Sequence, residues 1–392
     1  MGETKIKSKN VLLLGSIGRG NLGDDVICLS LSNFLRKKMA PNDSIYIFSK
    51  TKSFFQNFEN ADGKIHAVTS FSMLFKAFLT SDCLILGGGD YIGDFGRVSQ
   101  RIRTFLIFFS LGFITKMFSK KFSMLNSSFT VTSRNGLAVL NIILNLTDYV
   151  SVRDGRSLDL LLKYSQKKPV RGFDTAVLLY DNTNRIRSVA PKRITNIGFS
   201  ITPNFSNPFL TSEDIKQLAQ SLAKDIDKLL FAFEDVNIFF LVFNTSVSKD
   251  GDSVLINDVM NSIDSRQLKK IHVVYYDGCI TDFMSQFHEL DAVVCFKYHS
   301  AIFSYSFGKP MIVIGYHPKN EGLVKDIGLS DRAFLSFHQV LAGKIFNTLV
   351  ELMATPEQFM ATYPLFEARQ SALNGLSCLQ IHPKNMKNLL SE

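Results

Sequence analysis

The chain has 392 residues, more than one hydrophobic core usually holds, so two domains are expected. Its 46% apolar and 20% charged content fits a soluble globular protein able to bury such cores. A formal charge of +9 favours anionic partners, yet the cations are scattered and no zinc-finger, homeodomain or RNP-like pattern is present, which argues against nucleic acid.

In chain order, the N-terminus carries charge but no apolar core segment, so no signal peptide is expected; Ile6 stands where a myristoylation signal wants Ser or Thr. "NVLLLG" reads as a strand, Asp24 to Lys38 as a helix and "DSIYIFSK" as the next strand. Asp82 to Gly89 reads as a strand ending in a triple glycine. Thr104 to Phe118 is apolar and flanked by Arg97, Arg101, Arg103, Lys116, Lys120 and Lys121. It falls short of the ~20 residues a spanning helix needs. A helix packed on a sheet and a helix resting on the inner membrane face both fit.

Asp148 to Asp154 reads as a short strand, a helix follows through "GRSLDLLLKY", and "TAVLLY" closes the first half. The polar stretch Asp181 to Asn196 reads as a linker. The alternation of apolar and amphipathic runs then restarts with "NIGFSIT" and continues through "VNIFFLVFN", "IHVVYYD", "DAVVCF" and "PMIVIGY". From about Leu341 the pattern is helical. The expected architecture is α/β: two Rossmann-like domains facing across a cleft, residues 1–185 and 195–345, with a helical tail over 346–392. Five well-separated cysteines, Cys28, Cys83, Cys279, Cys295 and Cys378, read as reduced residues of a cytosolic protein.

Gly18, Gly20 and Gly23 spell G-x-G-x-x-G, but three features argue against a dinucleotide site. The strand ends at Leu14 or Gly15, before the first glycine. Ser49 and Lys50 stand where a ribose-binding acid belongs. Asp24 and Asp25 occupy the helix N-terminus and would repel a pyrophosphate. Asp24 is read as the helix cap. "GGGD", Gly87 to Asp90, reads either as a bend exposing backbone N–H groups to an anion or as a tight turn. In "SVRDGRS", Arg153 and Arg156 suit a carboxylate or phosphate, or pair at the surface with Asp154 or Asp159.

The segment "FKYHSAIFSYSFGKP" places Lys297 and His299 past a buried strand, where histidine suits proton transfer and lysine attracts an anion. "GYHPKNEG" adds Tyr316, His317 and Lys319 after the following strand. His66, His272, His288, His338 and His382 are read as structural.

Together these segments resemble the polysaccharide pyruvyl transferase family. The resemblance rests on Gly20-Asn21 with Gly23-Asp24, on Gly87 to Gly89, on Ser151, Arg153, Asp154 and Ser157, on Asp174 and Ala176, on Lys297 through Pro310, and on Tyr316, Pro318 and Lys319, within roughly Asn10 to Leu329. It implies a glycosyltransferase B-like fold, with the acceptor on the first domain and the donor on the second. The implied reaction moves the enolpyruvyl unit of phosphoenolpyruvate onto a sugar of a polysaccharide or its lipid-linked precursor as a cyclic ketal, with no metal or cofactor. In that scheme His299 is the proton donor or activates the hydroxyl. Arg153, Lys297 and Lys319 hold the anionic donor, and Asn21, Gly88, Gly89 and Tyr316 line the substrate site.

This sequence departs from the family in having Lys297 for Arg, Tyr298 for Leu, and Phe303 and Tyr305 where small residues are usual. Another acceptor and a weakened activity are both open. So are two alternatives: a nucleotide-sugar glycosyltransferase, for which Glu321 is the nearby ribose-binding acid, and a non-catalytic glycan-binding relative. The expected location is cytoplasmic, with peripheral membrane contact left open.

Overall fold

The computed structural model describes residues 10–40, 42–49, 51–58, 64–94, 98–179, 190–203, 211–245 and 251–377. Most of the expected linker, the end of the helical tail, Lys50, Arg97, Cys378 and His382 lie outside the described residues. Short runs of β-branched and aliphatic residues form two sheets, each wholly parallel and covered by amphipathic helices.

The first sheet holds β1 (Val11–Leu14), β2 (Ile45–Phe48), β3 (Ile65–Val68), β4 (Cys83–Gly93), β5 (Lys121–Thr130), β6 (Tyr149–Val152) and β7 (Val170–Arg171) in the order β3-β2-β1-β4-β5-β6-β7. Its helices are α1 (Leu22–Lys38), α2 (Phe71–Thr80), α3 (Val98–Met117), α4 (Arg134–Leu146) and α5 (Gly155–Tyr164). The second sheet holds β8 (Asn196–Ser200), β9 (Asn237–Val242), β10 (Ile271–Tyr275), β11 (Ala292–Cys295), β12 (Met311–Gly315) and β13 (Phe334–Ser336) in the order β10-β9-β8-β11-β12-β13. Around it lie α6 (Ser212–Ala232), α7 (Asp252–Ser262), α8 (Ile280–His288), α9 (Tyr298–Ser306), α10 (Pro318–Asp326), α11 (Phe337–Leu341) and α12 (Ile345–Ala354). The last helix, α13 (Leu365–Leu376), returns to the first sheet, where the Ala372 carbonyl accepts the Asn126 side-chain amide at 3.1 Å.

Strand order reverses between β1 and β4 in one sheet and between β8 and β11 in the other. Loops leave a parallel sheet in opposite directions at such a point, opening a crevice at the strands' carboxyl ends. The two crevices face each other and are stitched together. The Leu22 N–H bonds the Phe243 carbonyl at 3.0 Å, and the Thr245 N–H bonds the Gly20 carbonyl at 3.0 Å. The Tyr276 hydroxyl donates to Asp25 Oδ2 at 2.8 Å.

One local expectation is corrected. The triple glycine lies inside β4, not at its end; Gly88 and Gly89 take φ of 50° and 114°, and the register slips between Asp90 and Ile92. "TAVLLY" contributes a 3-10 turn over Thr175–Leu178. The apolar stretch Thr104 to Phe118 forms most of α3, whose inner side buries Phe108, Gly112 and Thr115, with Gly112 against Leu146 of α4, and whose other side is exposed.

Candidate active site

The cleft floor is built by the first turn of α1, the end of β4, the turn after β6, the 3-10 turn at Thr175 and the N-termini of α9 and α10. At its centre is His299, in the first turn of α9. Its imidazole lies against Gly23 of α1, and a Cβ built at Gly23 would fall on Nδ1 of the ring. The ring approaches α1 this closely only because position 23 lacks a side chain. Phe303, one turn on, stacks on the imidazole with centroids 6.3 Å apart and fixes its plane. The opposite edge, Nε2, is buried without a hydrogen-bond partner and faces Asp174 Oδ2 at 3.7 Å. That separation suits an ion pair and is too long for a hydrogen bond.

Asp174 is fully buried and held from several directions. Its Oδ1 accepts the Ala176 N–H at 2.9 Å, and its Oδ2 accepts Nη1 of Arg153 at 2.6 Å. Burial alone would raise its carboxyl, but Arg153 and His299 outweigh burial and hold it well below the ordinary carboxylate range. It stays an anion behind the histidine.

Arg153 lies inside the protein rather than reaching into the cleft. Its Nε donates to Ser128 Oγ at 2.6 Å, and its guanidinium covers the Tyr298 ring at 4.5 Å. The expected surface pairing with Asp154 or Asp159 is replaced by the buried pair with Asp174. Asp154 instead caps α5, accepting the Ser157 N–H at 2.8 Å and the Ser128 hydroxyl at 2.6 Å. Ser157 Oγ in turn accepts the Phe129 N–H. Asp154 thus anchors the arginine through Ser128.

Lys297 caps the start of α9, and its ammonium meets Asp252 Oδ1 at 2.8 Å. Asp252 also accepts the Phe243 and Asn244 N–H groups, tying Lys297 to the loop that touches α1. The cation facing the cleft acids is Lys319, in the first turn of α10. Burial lowers its pKa, countered by Asp90 and Asp24. Burial likewise raises both carboxyls, countered by Lys319 and Arg153 and, for Asp24, by His299. Tyr316 is half-buried, its hydroxyl pushed up by burial and by Asp252. His317 caps α10 by accepting the Lys319 N–H at 3.2 Å, and burial with nearby Lys319 pushes it down to about 3, leaving it a neutral acceptor.

Asn21, not Asp24, is the cap residue of α1, and its side chain donates to Asp24 Oδ2 at 2.8 Å. This turns Asp24 into the cleft. Gly88 and Gly89 are buried within β4 against Ile27 and Tyr91, and their positive φ angles carry Asp90 to the cleft wall. Glu321 is exposed in the first turn of α10. Among the described residues, no group of three or more His, Cys, Asp or Glu could hold a metal ion.

Residues 21–318 match the polysaccharide pyruvyl transferase family. The chain belongs to that family. No curated protein matches it. Among solved structures it is similar to Staphylococcus aureus MnaA with UDP, at 12% identity over 98% of each chain and a TM-score of 0.59. It is similar also to the UDP-GlcNAc 2-epimerase of Neisseria meningitidis bound to UDP-GlcNAc, at 11% identity over 95% of this chain and 100% of that one, with a TM-score of 0.58. The UDP-GlcNAc 2-epimerase of Methanocaldococcus jannaschii gives 12% identity, the same coverage and a TM-score of 0.57. At such identities the likeness establishes the fold, which is of the glycosyltransferase B type.

The departures of this pyruvyl transferase family member have structural partners. Tyr298 lies under Arg153, Phe303 backs His299, and the Tyr305 hydroxyl bonds the Tyr363 carbonyl at 3.0 Å. Sequence reasoning gave no role to Asp90, Asp174 or Asp252. Two of them sat inside quoted motifs, but the groups they meet lie far away in the chain.

Proposed function

We propose that the protein transfers the enolpyruvyl unit of phosphoenolpyruvate onto two hydroxyls of one sugar in a polysaccharide or its lipid-linked precursor, forming a cyclic ketal. The observation that carries the reading is the His299 imidazole, wedged between Gly23 of one domain and Phe303 of its own, with the Asp174 anion behind Nε2. The Asp174 carboxylate faces one edge of the ring, and position 23, lacking a side chain, lets the other edge lie against α1, where a histidine is placed to transfer a proton in the cleft.

In this scheme the imidazolium protonates the methylene carbon of the donor, converting it to a methyl group and leaving the adjacent carbon electron-poor. A sugar hydroxyl attacks that carbon and gives up its proton. The carbon–oxygen bond to phosphate then breaks with its electron pair leaving on phosphate. The second hydroxyl attacks the same carbon and loses its proton, closing the ketal. Lys319 meets the donor's anionic groups, and a bound dianion offsets the burial that now disfavours its charge. Arg153 acts through Asp174, and Lys297 through the loop it holds at Asp252. Asn21 and Tyr316 border the acceptor. Phosphoenolpyruvate is a cytoplasmic metabolite, so the proposal sets the reaction there.

The test is incubation with phosphoenolpyruvate and a panel of free and lipid-linked glycans. Phosphate release together with a new ketal methyl resonance is expected. Turnover of a nucleotide sugar, with no phosphate release on any acceptor, would overturn the proposal.

A further inference from the structure

The end of α2 meets the segment that follows α3, where Phe78 packs edge-on against Phe118 at 5.5 Å and the Lys120 ammonium bonds the Leu79 carbonyl. A helix on a sheet ordinarily turns polar residues outward. Here the outward positions of α3 are Ile102, Leu106, Ile107, Phe113, Ile114 and Met117, which follow the i, i+4 spacing of one helix side and are 42–67% exposed. On α2, Phe71 at 85% exposed, Phe75 and Leu79 repeat the i, i+4 spacing of an exposed apolar side. Scattered exposed apolar residues need no explanation, but six along one side of α3, with three more on α2, do.

Charge identifies the occupant. Neither α2 nor α3, nor the adjoining α4, contains an acidic residue, while they carry Lys76, Arg101, Arg103, Lys116 and Arg134. Arg101 and Arg103 stand exposed near the start of the α3 stripe; Lys116, Lys120 and Lys121 gather at its end, with Lys116 paired to Asp148 at 2.7 Å. Cations thus bracket the apolar stripe at both ends. A second copy docking by the same face would set cation against cation in either orientation. No helix of the described residues is long and apolar enough to cross a membrane. An apolar stripe bracketed by cations lies instead in the plane of an anionic bilayer, apolar side chains among the acyl chains and cations at the headgroups.

We propose that the outer face of α2 and α3 docks the protein on a bilayer containing anionic lipid. The docking stands or falls separately from the chemistry assigned to the cleft.

The experiment sediments the full chain with vesicles of phosphatidylcholine containing phosphatidylglycerol, and with vesicles of phosphatidylcholine alone. Binding to the anionic vesicles is expected, weakening as salt is raised. Replacing Leu106→Glu with Phe113→Glu, or Arg101→Glu with Arg103→Glu, is expected to weaken it by about tenfold or more. Unchanged melting of each variant would show that the fold is retained. Equal binding by wild type and folded variants would overturn the proposal. So would absence of binding to both vesicle types, or a concentration-dependent dimer that the Leu106→Glu, Phe113→Glu variant abolishes while vesicle binding is absent.

Discussion

A single missing methyl group at position 23 sets the geometry of the histidine. Gly23→Ala would place a Cβ on Nδ1 of His299, and α1 cannot yield because its backbone is bonded to the Phe243 carbonyl. The imidazole must turn away from α1. We expect a loss of roughly 10²-fold in kcat, as for misplacing a proton donor, with melting little changed. Steady-state kinetics beside a thermal melt check this. At this scale the sequence located residues near the cleft better than it paired them. His299 and Lys319 were legible because they follow buried strands at helix N-termini. The pairing of Arg153 with Asp174 was not, since local spacing offered Asp154 and Asp159 as partners and the fold supplied another. Asp24 read as a cap because an acid suits a first helical turn, and that argument cannot distinguish the cap position from one facing a cleft.

The elements divide in the same way. Strands β1 and β11 are continuous apolar runs, as buried parallel strands should be, and both were readable. Strand β5 hides because it buries Ser123, Asn126, Ser127 and Ser128, whose pattern resembles a loop. Its irregularity has a purpose. Asn126 takes φ of 46° and sends its side-chain amide to Thr175 Oγ1 and the Ala372 carbonyl, joining β5 to the 3-10 turn and to α13. Gly375 of α13 sits against that amide, where a Cβ would overlap Asn126 Oδ1 and stand 3.1 Å from the Gly172 backbone. Helix propensity alone makes Gly375→Ala stabilising by about 1 kcal/mol. The overlap with a buried, fully engaged amide outweighs it, and we expect a net destabilisation of about 1–3 kcal/mol, measurable by denaturant unfolding.

At the scale of the molecule, two similar domains meet through loops that leave their switch points, and that meeting assembles the site. The pattern of alternating strands and helices made the two sheets legible. The seam was not, because it joins residues more than two hundred positions apart. One part of it is titratable. Asp25 accepts the Gly18 N–H at 2.7 Å and the Tyr276 hydroxyl, yet burial outweighs both and raises its carboxyl to about 7. The folded protein therefore holds a proton there that the unfolded chain releases near 3.8, so this group's contribution to stability falls as pH rises from about 4 to 7. Tyr276→Phe removes a donor to the ionised form. It should cost about 2 kcal/mol at pH 8 and distinctly less at pH 5, where the carboxyl is protonated, as unfolding curves at the two values would show. The central claim is that His299 donates the proton that begins pyruvyl transfer. The most direct test compares single-turnover ketal formation from phosphoenolpyruvate by wild type and His299→Ala on a verified acceptor. A loss on the order of 10²-fold or more is predicted, and a change below about threefold would contradict the account.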